Sequence, residues 1–333
     1  MPIKVIEGGK EGNMTKWAIG IDIGGSKIDV GHVDQEGKLI ERTVFPTPPS
    51  APVEKIIHEI AQVVKTLAGK AGSEPQAVGV GVAGQITADT GIVQFAPNLI
   101  WRDVPLKKQL QALIPFPVYI LNDVRAATWG EWQHGAGQGV QDLVCLLIGT
   151  GIGGGVVSQG NLITGASNSA GELGHIIIDK NGPQCTCGSH GCLEALASGW
   201  ALAEQARAVI EKEPKNAGAL LESVQGHVND LTARHVVEVA RTGDPLASSL
   251  IENAQEALNA GCISLINAFN PERLIIGGGL GLAIPHLIDN ITHAVFEKAL
   301  KAATSKLQVV PASLATNAGV IGAASYALHA SNK

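Results

Sequence analysis

The sequence has few aromatic residues and few charged ones. Aromatic residues make up 4% of its 333 residues and charged residues 16%, with a formal net charge of -6. A surface that binds single-stranded nucleic acid uses aromatic side chains for base stacking, and a phosphate backbone attracts positive charge. The composition therefore disfavours nucleic acid as a partner.

Long apolar segments are absent as well. No run approaches the roughly 20 residues that span a bilayer, so no membrane partner is expected. The opening residues, MPIKVIEGGKEGN, lack the apolar centre of a secretory signal. Cysteine is limited to five residues, and three of them lie close together. Clustered free thiols are typical of a reducing compartment, and we expect a cytoplasmic protein.

Two common nucleotide-binding motifs are missing. No GxxxxGK[ST] sequence occurs, which excludes a P-loop kinase. Residues 149–154, GTGIGG, match GxGxxG formally, but a dinucleotide-binding motif must open a helix, and the following GVVS indicates a strand. We therefore expect a hairpin turn at Gly149, Thr150 and Gly151, with the Thr150 hydroxyl available to a ligand.

Glycine is abundant, with 41 residues. In the turn DIGGSK at 22–27, Gly24 and Gly25 let backbone N–H groups approach phosphate oxygens. Asp22 ends the preceding strand, where it can hold Mg²⁺ directly or through water. A plain hairpin with an aspartate at its neck explains the same residues. Lys27 is either a phosphate contact or a solvated strand residue. If both hairpins bind phosphate, they grip a triphosphate between them.

The length exceeds one ordinary core, and 45% hydrophobic residues with many glycines predict a two-domain α/β protein. Three strands joined by turns at Gly24-Gly25 and Glu36-Gly37 are predicted from Trp17. Further strands are predicted at 77–83, 118–121, 142–148, 176–178, 273–276 and 307–310. Helices are predicted at 53–67, 105–113, 124–132, 195–212, 217–224, 231–241, 245–268, 284–300 and 318–328.

Cys185, Cys187 and Cys192 form a candidate zinc loop. Thiolates are soft zinc ligands, and the intervening glycines let a short loop turn all three to one point. The CxC spacing disfavours a thioredoxin-like motif, and a disulfide would leave one cysteine over. A closed zinc site needs a fourth ligand, which His175 or His190 can supply. His190 would crowd the metal, whereas His175 leads into an apolar strand, so we expect His175.

Two carboxylates border this loop. A structural zinc site does not require Glu172 or Glu194, which suggests that the loop also serves a ligand. If the metal draws the borders together, both glutamates and His175 converge on one side. An imidazole with one nitrogen on zinc has the other oriented toward a ligand.

The segments GELGH and CTCGSHGCLEA closely resemble the signature of the ROK family of sugar kinases and sugar-responsive repressors, and the resemblance extends from Trp17 over nearly the whole chain. It implies the actin-like, or ribonuclease H-like, two-domain ATPase fold with a cleft between the domains. The expected division is an extension at 1–16, a small domain at 17–122 and a large domain at 123–316 with the zinc loop at 175–192. The helix at 317–330 is expected to pack back onto the small domain.

The resemblance also implies site residues. Asp123 corresponds to the general base that takes a proton from the attacking sugar hydroxyl, although from spacing alone it is equally a helix cap. Asn122 and Asn98 correspond to sugar contacts. Together with Glu172, His175 and Glu194 they supply the donors and acceptors that sugar hydroxyls need. The turn at Gly277, Gly278 and Gly279 resembles the adenosine-binding turn. Ser26 replaces the threonine of many relatives and keeps the hydroxyl.

The implied activity is ATP-dependent phosphorylation of a hexose, with glucose at its 6-hydroxyl as the expected substrate and ATP, Mg²⁺ and a structural Zn²⁺ as cofactors. Kinases of the family for N-acetylmannosamine, N-acetylglucosamine, mannose or fructose are the alternatives. A sugar-sensing repressor is less favoured, because the first strand at Trp17 leaves no room for a preceding helix-turn-helix. A non-catalytic sugar-binding module is disfavoured because Asp22, Asp123 and the three glycine turns are all present. The resemblance further implies a homodimer.

Overall fold

Two five-stranded sheets organise the chain in the computed structural model, which describes residues 16–48, 51–212 and 217–333. All but the last residue of the predicted extension at 1–16 lies outside the described residues. The strands are β1 (Trp17–Ile23), β2 (Lys27–Asp34), β3 (Leu39–Pro46), β4 (Val78–Val82), β5 (Gln85–Ile86), β6 (Val93–Ala96), β7 (Trp101–Val104), β8 (Val118–Asn122), β9 (Leu143–Ile148), β10 (Ile152–Ser158), β11 (Asn161–Leu162), β12 (Arg273–Gly277) and β13 (Gln308–Pro311).

Helices cover the faces of these sheets. They are α1 (Val53–Lys70), α2 (Leu106–Leu113), α3 (Asp123–His134), α4 (Leu193–Ala197), α5 (Gly199–Lys212), α6 (Gly218–Ser223), α7 (Ala233–Arg241), α8 (Pro245–Phe269), α9 (Gly279–Ala283), α10 (Leu287–Lys298), α11 (Lys301–Thr304) and α12 (Ala318–Ser331).

The first sheet has the order β3-β2-β1-β4-β8. Strands β1, β2 and β3 run antiparallel as hairpins, whereas β1, β4 and β8 are parallel neighbours. The register places Asp22 opposite Gly81, and Gly81 opposite Leu121. Because parallel strands end at the same edge of a sheet, Asp22 and Asp123 lie at one edge.

Helix α12 returns from the end of the chain to the first sheet. A β-carbon at Gly20 of β1 would collide with the carbonyl of Val320, and one at Gly79 of β4 with that of Ala323. The missing side chains therefore allow the helix to lie directly on the strands. Helix α3 packs against α12 and also against β10 of the second sheet. The domain boundaries at 122/123 and 316/317 stay predictions.

The second sheet has the order β11-β10-β9-β12-β13, in which β9 and β10 form an antiparallel hairpin and β9, β12 and β13 are parallel. Its large apolar core is formed with the helices α4 to α8 and α10. The strand predicted after the glycine run at 149–155 is thus β10. This confirms that the GxGxxG match does not open a helix.

Several predicted elements are wrong. Residues 176–178 form no strand: they follow a 3₁₀ turn at Leu173–His175, and only Ile177 makes a bridge, to Cys192. The predicted helix at 195–212 is divided at Ser198, whose backbone is extended. The predicted helix at 284–300 is too long: α10 begins at Leu287, since Pro285 holds Ile284 in an extended conformation, and it ends at Lys298. The small sheet β5-β6-β7 was not predicted.

Candidate active site

Asp123 is the first residue of α3 and directly follows strand β8. The helix is capped by Asn122, whose Oδ1 accepts hydrogen bonds from the backbone N–H groups of Val124 (3.0 Å) and Arg125 (3.2 Å). The Asn122 amide also donates to the carbonyl of Gly84 at 3.3 Å. The alternative in which Asp123 is the cap is therefore wrong. A helix cap therefore does not account for the Asp123 carboxylate.

The surroundings of Asp123 shift the pKa of its carboxyl upward. Burial raises the pKa of this carboxyl above its ordinary value of 3.8, and the negative charge of Glu172 raises it further. Hydrogen bonds from the backbone N–H groups of Val124 and of Asp123 itself, and the positive charge of Arg125, lower the pKa of the same carboxyl and so oppose that shift. A carboxylate with a raised pKa is a stronger proton acceptor than one in water. Glu172, in front of the 3₁₀ turn, is close enough to influence both Asp123 and Arg125 electrostatically.

Asp22 is the second carboxylate at this edge. Burial, with added repulsion from Asp123 and Asp29, raises the pKa of Asp22 from 3.8 to about 7. The carboxyl also faces Gly319 in the first turn of α12, where a β-carbon would crowd it. Two carboxylates that repel each other at the ends of parallel strands are suited to a cation, which would relieve their repulsion.

We expect Asp22→Asn to stabilise the protein without ligands. The folded state holds the Asp22 proton up to about pH 7, whereas the unfolded chain releases it near pH 4, so ionisation costs stability as the pH rises between these values. Asparagine removes that cost. Melting temperatures of the variant and the wild type should differ by several degrees at pH 8 and converge toward pH 4. An unchanged difference across this range would contradict the assigned charge.

The first glycine turn is closed by a hydrogen bond from Gly24 N to Lys27 O (3.0 Å). Asn98 lies against it, since a β-carbon at Gly25 would stand 2.9 Å from the Asn98 β-carbon. The structure thus brings the predicted Asn98 to the predicted phosphate turn. Ser26 and Lys27 are exposed, and Lys27 Nζ lies 3.9 Å from Asp29 Oδ2.

The second glycine turn is attached to the start of α5. Gly199 N donates to Gly149 O, and Trp200 N donates to Thr150 O, both at 2.9 Å. Glu194 Oε2 accepts a hydrogen bond from the N–H of Ile152 at 2.8 Å. The carboxylate of Glu194 therefore connects the zinc loop to this turn. It packs so closely on Gly151 that a β-carbon there would stand 2.6 Å from Oε2.

The third turn follows β12 and lies beside a cavity of about 780 Å³. Gly278 has φ +84°, and a β-carbon there would collide with the carbonyl of Ile148, so this position requires glycine. Gly149, Thr150 and Gly279 line the cavity, which joins two of the predicted turns. Gly277 ends β12 and Gly278 precedes α9, and neither lines the cavity.

Sequence reasoning missed the helical wall of this cavity. The residues come from α5, from α7, from the segment that precedes α7 and from α9; they include Trp200, Ala203, Arg207, Leu231, Ala233, Arg234, Val237, Glu238, Arg241 and Ala283. Within α7, Arg234 Nε donates to Glu238 Oε1 at 2.7 Å, and Arg241 Nη2 donates to the carbonyl of Ala283 in α9 at 2.6 Å. No local pattern marks these residues, because they are ordinary for amphipathic helices.

The zinc loop brings the four predicted ligands together. The ligand atoms of His175, Cys185, Cys187 and Cys192 all lie within 4.8 Å of one another. Cys185 Sγ stands 3.6 Å from His175 Nδ1, and Cys187 Sγ stands 3.7 Å from Cys192 Sγ. Tetrahedral zinc with ordinary bond lengths separates two sulfurs by about 3.8 Å and a sulfur and a nitrogen by about 3.6 Å. The residues present fit such an ion. His190 is exposed and is not a member of the group.

The comparisons with known proteins agree with the family resemblance of the sequence. Residues 18–330 match the ROK family. A glucokinase of Streptomyces coelicolor is 36% identical over 311 residues, which cover 93% of this chain and 96% of that protein. The crystal structure of a ROK family glucokinase from Streptomyces griseus in complex with glucose and AMPPNP is also 36% identical, with a TM-score of 0.78. It covers 94% of this chain and 99% of its own.

Repressors of the family are more distant. A xylose repressor of Bacillus subtilis is 30% identical over 316 residues, which cover 93% of this chain and 76% of the repressor. Among the residues that the structure describes, no helix combines the length and the apolar character needed to cross a membrane.

Proposed function

Because this chain belongs to the ROK family, we propose that it is an ATP-dependent glucokinase, which converts glucose to glucose 6-phosphate. Its fold is the α/β, actin-like or ribonuclease H-like ATPase fold of the family, as the resemblance implied. Relatives named glucokinase, similar over nearly their whole length, and a relative crystallised with glucose and an ATP analogue support this activity.

The observation that carries the proposal is the place of Asp123, uncommitted to the helix cap and adjacent to Asp22 at the edge of the first sheet. Asp123 would accept the proton of the 6-hydroxyl. The hydroxyl oxygen would then form a bond to the γ-phosphorus while the bond from that phosphorus to the bridging oxygen of ADP breaks. The raised pKa of Asp123 suits it to accept this proton.

The sugar contacts remain predictions of the same proposal. Glu172 and the ring nitrogen Nε2 of His175 would bind hydroxyls from one side, and Asn98 from the other. Asn122 already uses its Oδ1 for the helix cap, so its contact with sugar would come from the amide N–H. Glu194 already accepts hydrogen bonds from Ile152 N and, at 3.3 Å, from Trp200 Nε1, which leaves lone pairs for a hydroxyl.

The nucleotide would lie across the glycine turns. We propose that the adenosine occupies the cavity beside Gly279 and that the phosphates reach the turns at Gly24-Gly25 and Gly149–Gly151. Asp22 is the proposed residue for Mg²⁺, which supplies charge neutralisation on the phosphate oxygens when bound. Ser26 and Lys27 are proposed as further phosphate contacts, and both are accessible.

We further propose one structural Zn²⁺ held by His175 Nδ1 and the three thiolates. The ion would fix the imidazole so that Nε2 faces the sugar, with no part in the phosphoryl transfer. The described cysteines are all free, which fits a reducing compartment, and the cytoplasm is our proposal for its location. A homodimer is proposed on the family resemblance alone.

We expect glucose to give the highest kcat/KM in a coupled assay of ATP consumption. The panel should include mannose, fructose, N-acetylglucosamine and N-acetylmannosamine, because kinases of the ROK family act on these sugars. A site whose polar groups are paired by one set of hydroxyls discriminates against sugars that leave a group unpaired. Preference for an N-acetylated hexosamine would contradict the glucokinase assignment and leave the sugar kinase. No consumption with any sugar would support a sugar-sensing regulator instead.

A further inference from the structure

Arg125 is a buried cation two residues after Asp123. Arg125 is only 5% exposed. Burial lowers the pKa of its guanidinium, and the negative charge of Glu172 opposes that shift. Burying a guanidinium costs free energy unless its N–H groups are paired. Arg125 Nη1 donates to Asn168 Oδ1 at 2.6 Å, and Nη2 donates to Asn168 O at 2.8 Å. Asn168 alone thus accepts hydrogen bonds from both terminal nitrogens of the guanidinium.

Asn168 accepts these hydrogen bonds from an uncommon backbone conformation. Its φ is +59°, in the left-handed region that asparagine tolerates better than most residues. Residues 164–167 and 169 are exposed, whereas Asn168 turns inward and is half-buried. Its side-chain nitrogen donates to the carbonyl of Ile86 at 2.9 Å. Asn168 therefore joins α3 on one side to strand β5 on the other.

The loop fastened in this way, residues 164–171, leads directly into Glu172. At its far end Gly171 packs on the backbone of Gly154, and Ala170 N bonds Thr164 O at 3.0 Å. The loop is thus fixed at its base on β10 and at its tip by Asn168. Both ends are needed to place a carboxylate that follows the loop.

We propose that Arg125 and Asn168 are positioning residues for the sugar, because together they hold the 164–171 loop, and with it Glu172, against the strand that carries Ile86. This inference rests on the proposed sugar kinase function. It assigns Arg125 a role besides its charge near Asp123. A displacement of about 1 Å at a group that positions the substrate can cost a factor of about 100 in rate.

Two substitutions of Asn168 separate its contacts. Asn168→Gly keeps the left-handed backbone and the carbonyl acceptor but removes both side-chain bonds. Asn168→Asp keeps an acceptor for Arg125 but loses the donor to Ile86. We expect the sugar KM to rise about tenfold or more in Asn168→Gly and by a smaller factor in Asn168→Asp, with the KM for ATP unchanged within about twofold. Amide hydrogen exchange of residues 164–171 should become faster in both variants.

Arg125→Met tests the partner. If the two residues act through one contact, the double variant with Asn168→Gly should raise the sugar KM no more than the larger single effect. Multiplied effects would overturn the coupling. Gln308→Ala is a matched control: it removes an amide acceptor at 2.9 Å from Arg273 Nη2, on the edge strand β13, and should leave the sugar KM unchanged.

The outcomes separate the two proposals. A wild-type protein that phosphorylates no hexose would overturn the proposed function, and hydrogen exchange would still show whether Asn168 fastens the loop. An active wild type with an Asn168→Gly sugar KM within twofold would overturn the positioning role alone, even if exchange became faster. Unchanged exchange together with an unchanged KM would overturn the fastening itself. Asn168→Asp with the wild-type KM would overturn the part assigned to Ile86.

Discussion

Replacing Asp123 by asparagine is expected to lower kcat by at least ~10²–10⁴-fold, the usual contribution of a general base. Asparagine keeps the size and most of the hydrogen-bonding shape of the side chain but cannot accept the proton of the sugar hydroxyl. The helix start should persist, because Asn122 caps α3. Sugar affinity should change far less than kcat, since Glu172 and His175 are untouched. Steady-state kinetics with glucose and a direct measurement of glucose binding check both parts.

Asp244 offers a matched control for this substitution. It is a true helix cap, whose Oδ1 accepts a hydrogen bond from Ala247 N at 2.9 Å at the start of α8. Asp244→Asn should be mild in both stability and activity, since asparagine caps a helix about as well as aspartate. A kcat for Asp123→Asn within a few-fold of the wild type, like that of Asp244→Asn, would remove Asp123 as the base.

Local patterns predicted the parts of the fold and of the candidate site that depend on neighbouring residues. Alternating apolar residues around two glycines predicted the hairpin at Gly24-Gly25. An apolar segment in front of a capping residue predicted that α3 comes directly after β8. The pattern did not distinguish Asn122 from Asp123 as the cap, because either side chain can accept the first N–H groups. Only the hydrogen bonds of Asn122 to residues 124 and 125 decide it.

Local composition gave a wrong prediction where apolar residues are common to strands and to irregular segments. Three consecutive isoleucines at 176–178 indicated a strand. Ile177 is instead 60% exposed and bridges to Cys192, while Ile176 and Ile178 pack against the core of the second sheet. Contacts between distant segments left no signal at all. Arg125 and Asn168 are 43 residues apart, and the loop that joins them to Ile86 has no periodicity. The cavity beside Gly279 depends in the same way on α5 and α7 meeting in space.

Replacing Cys187 by serine is expected to abolish stoichiometric zinc binding. Changing a residue that only supports a ligand costs about 10–100-fold in metal affinity, so losing a thiolate itself should cost more. The melting temperature should fall, because metal binding and local folding are coupled. The sugar KM should rise, since His175 loses the ion that orients it. Elemental analysis of protein purified without chelator, which should show one zinc per wild-type chain, is the first measurement.

The exposure of Cys187 makes this variant informative. Its side chain lies at the surface, so a serine there removes little packing, and a large fall in stability would have to come from the metal. His190→Ala is the control, an exposed residue of the same loop outside the ligand group. His190→Ala should keep the zinc, with an unchanged melting temperature and sugar KM. His175→Ala should lose the zinc, melt at a lower temperature and have a higher sugar KM. If His190→Ala released the zinc and His175→Ala retained it, the fourth ligand would be His190, and the ion could not orient His175 toward the sugar.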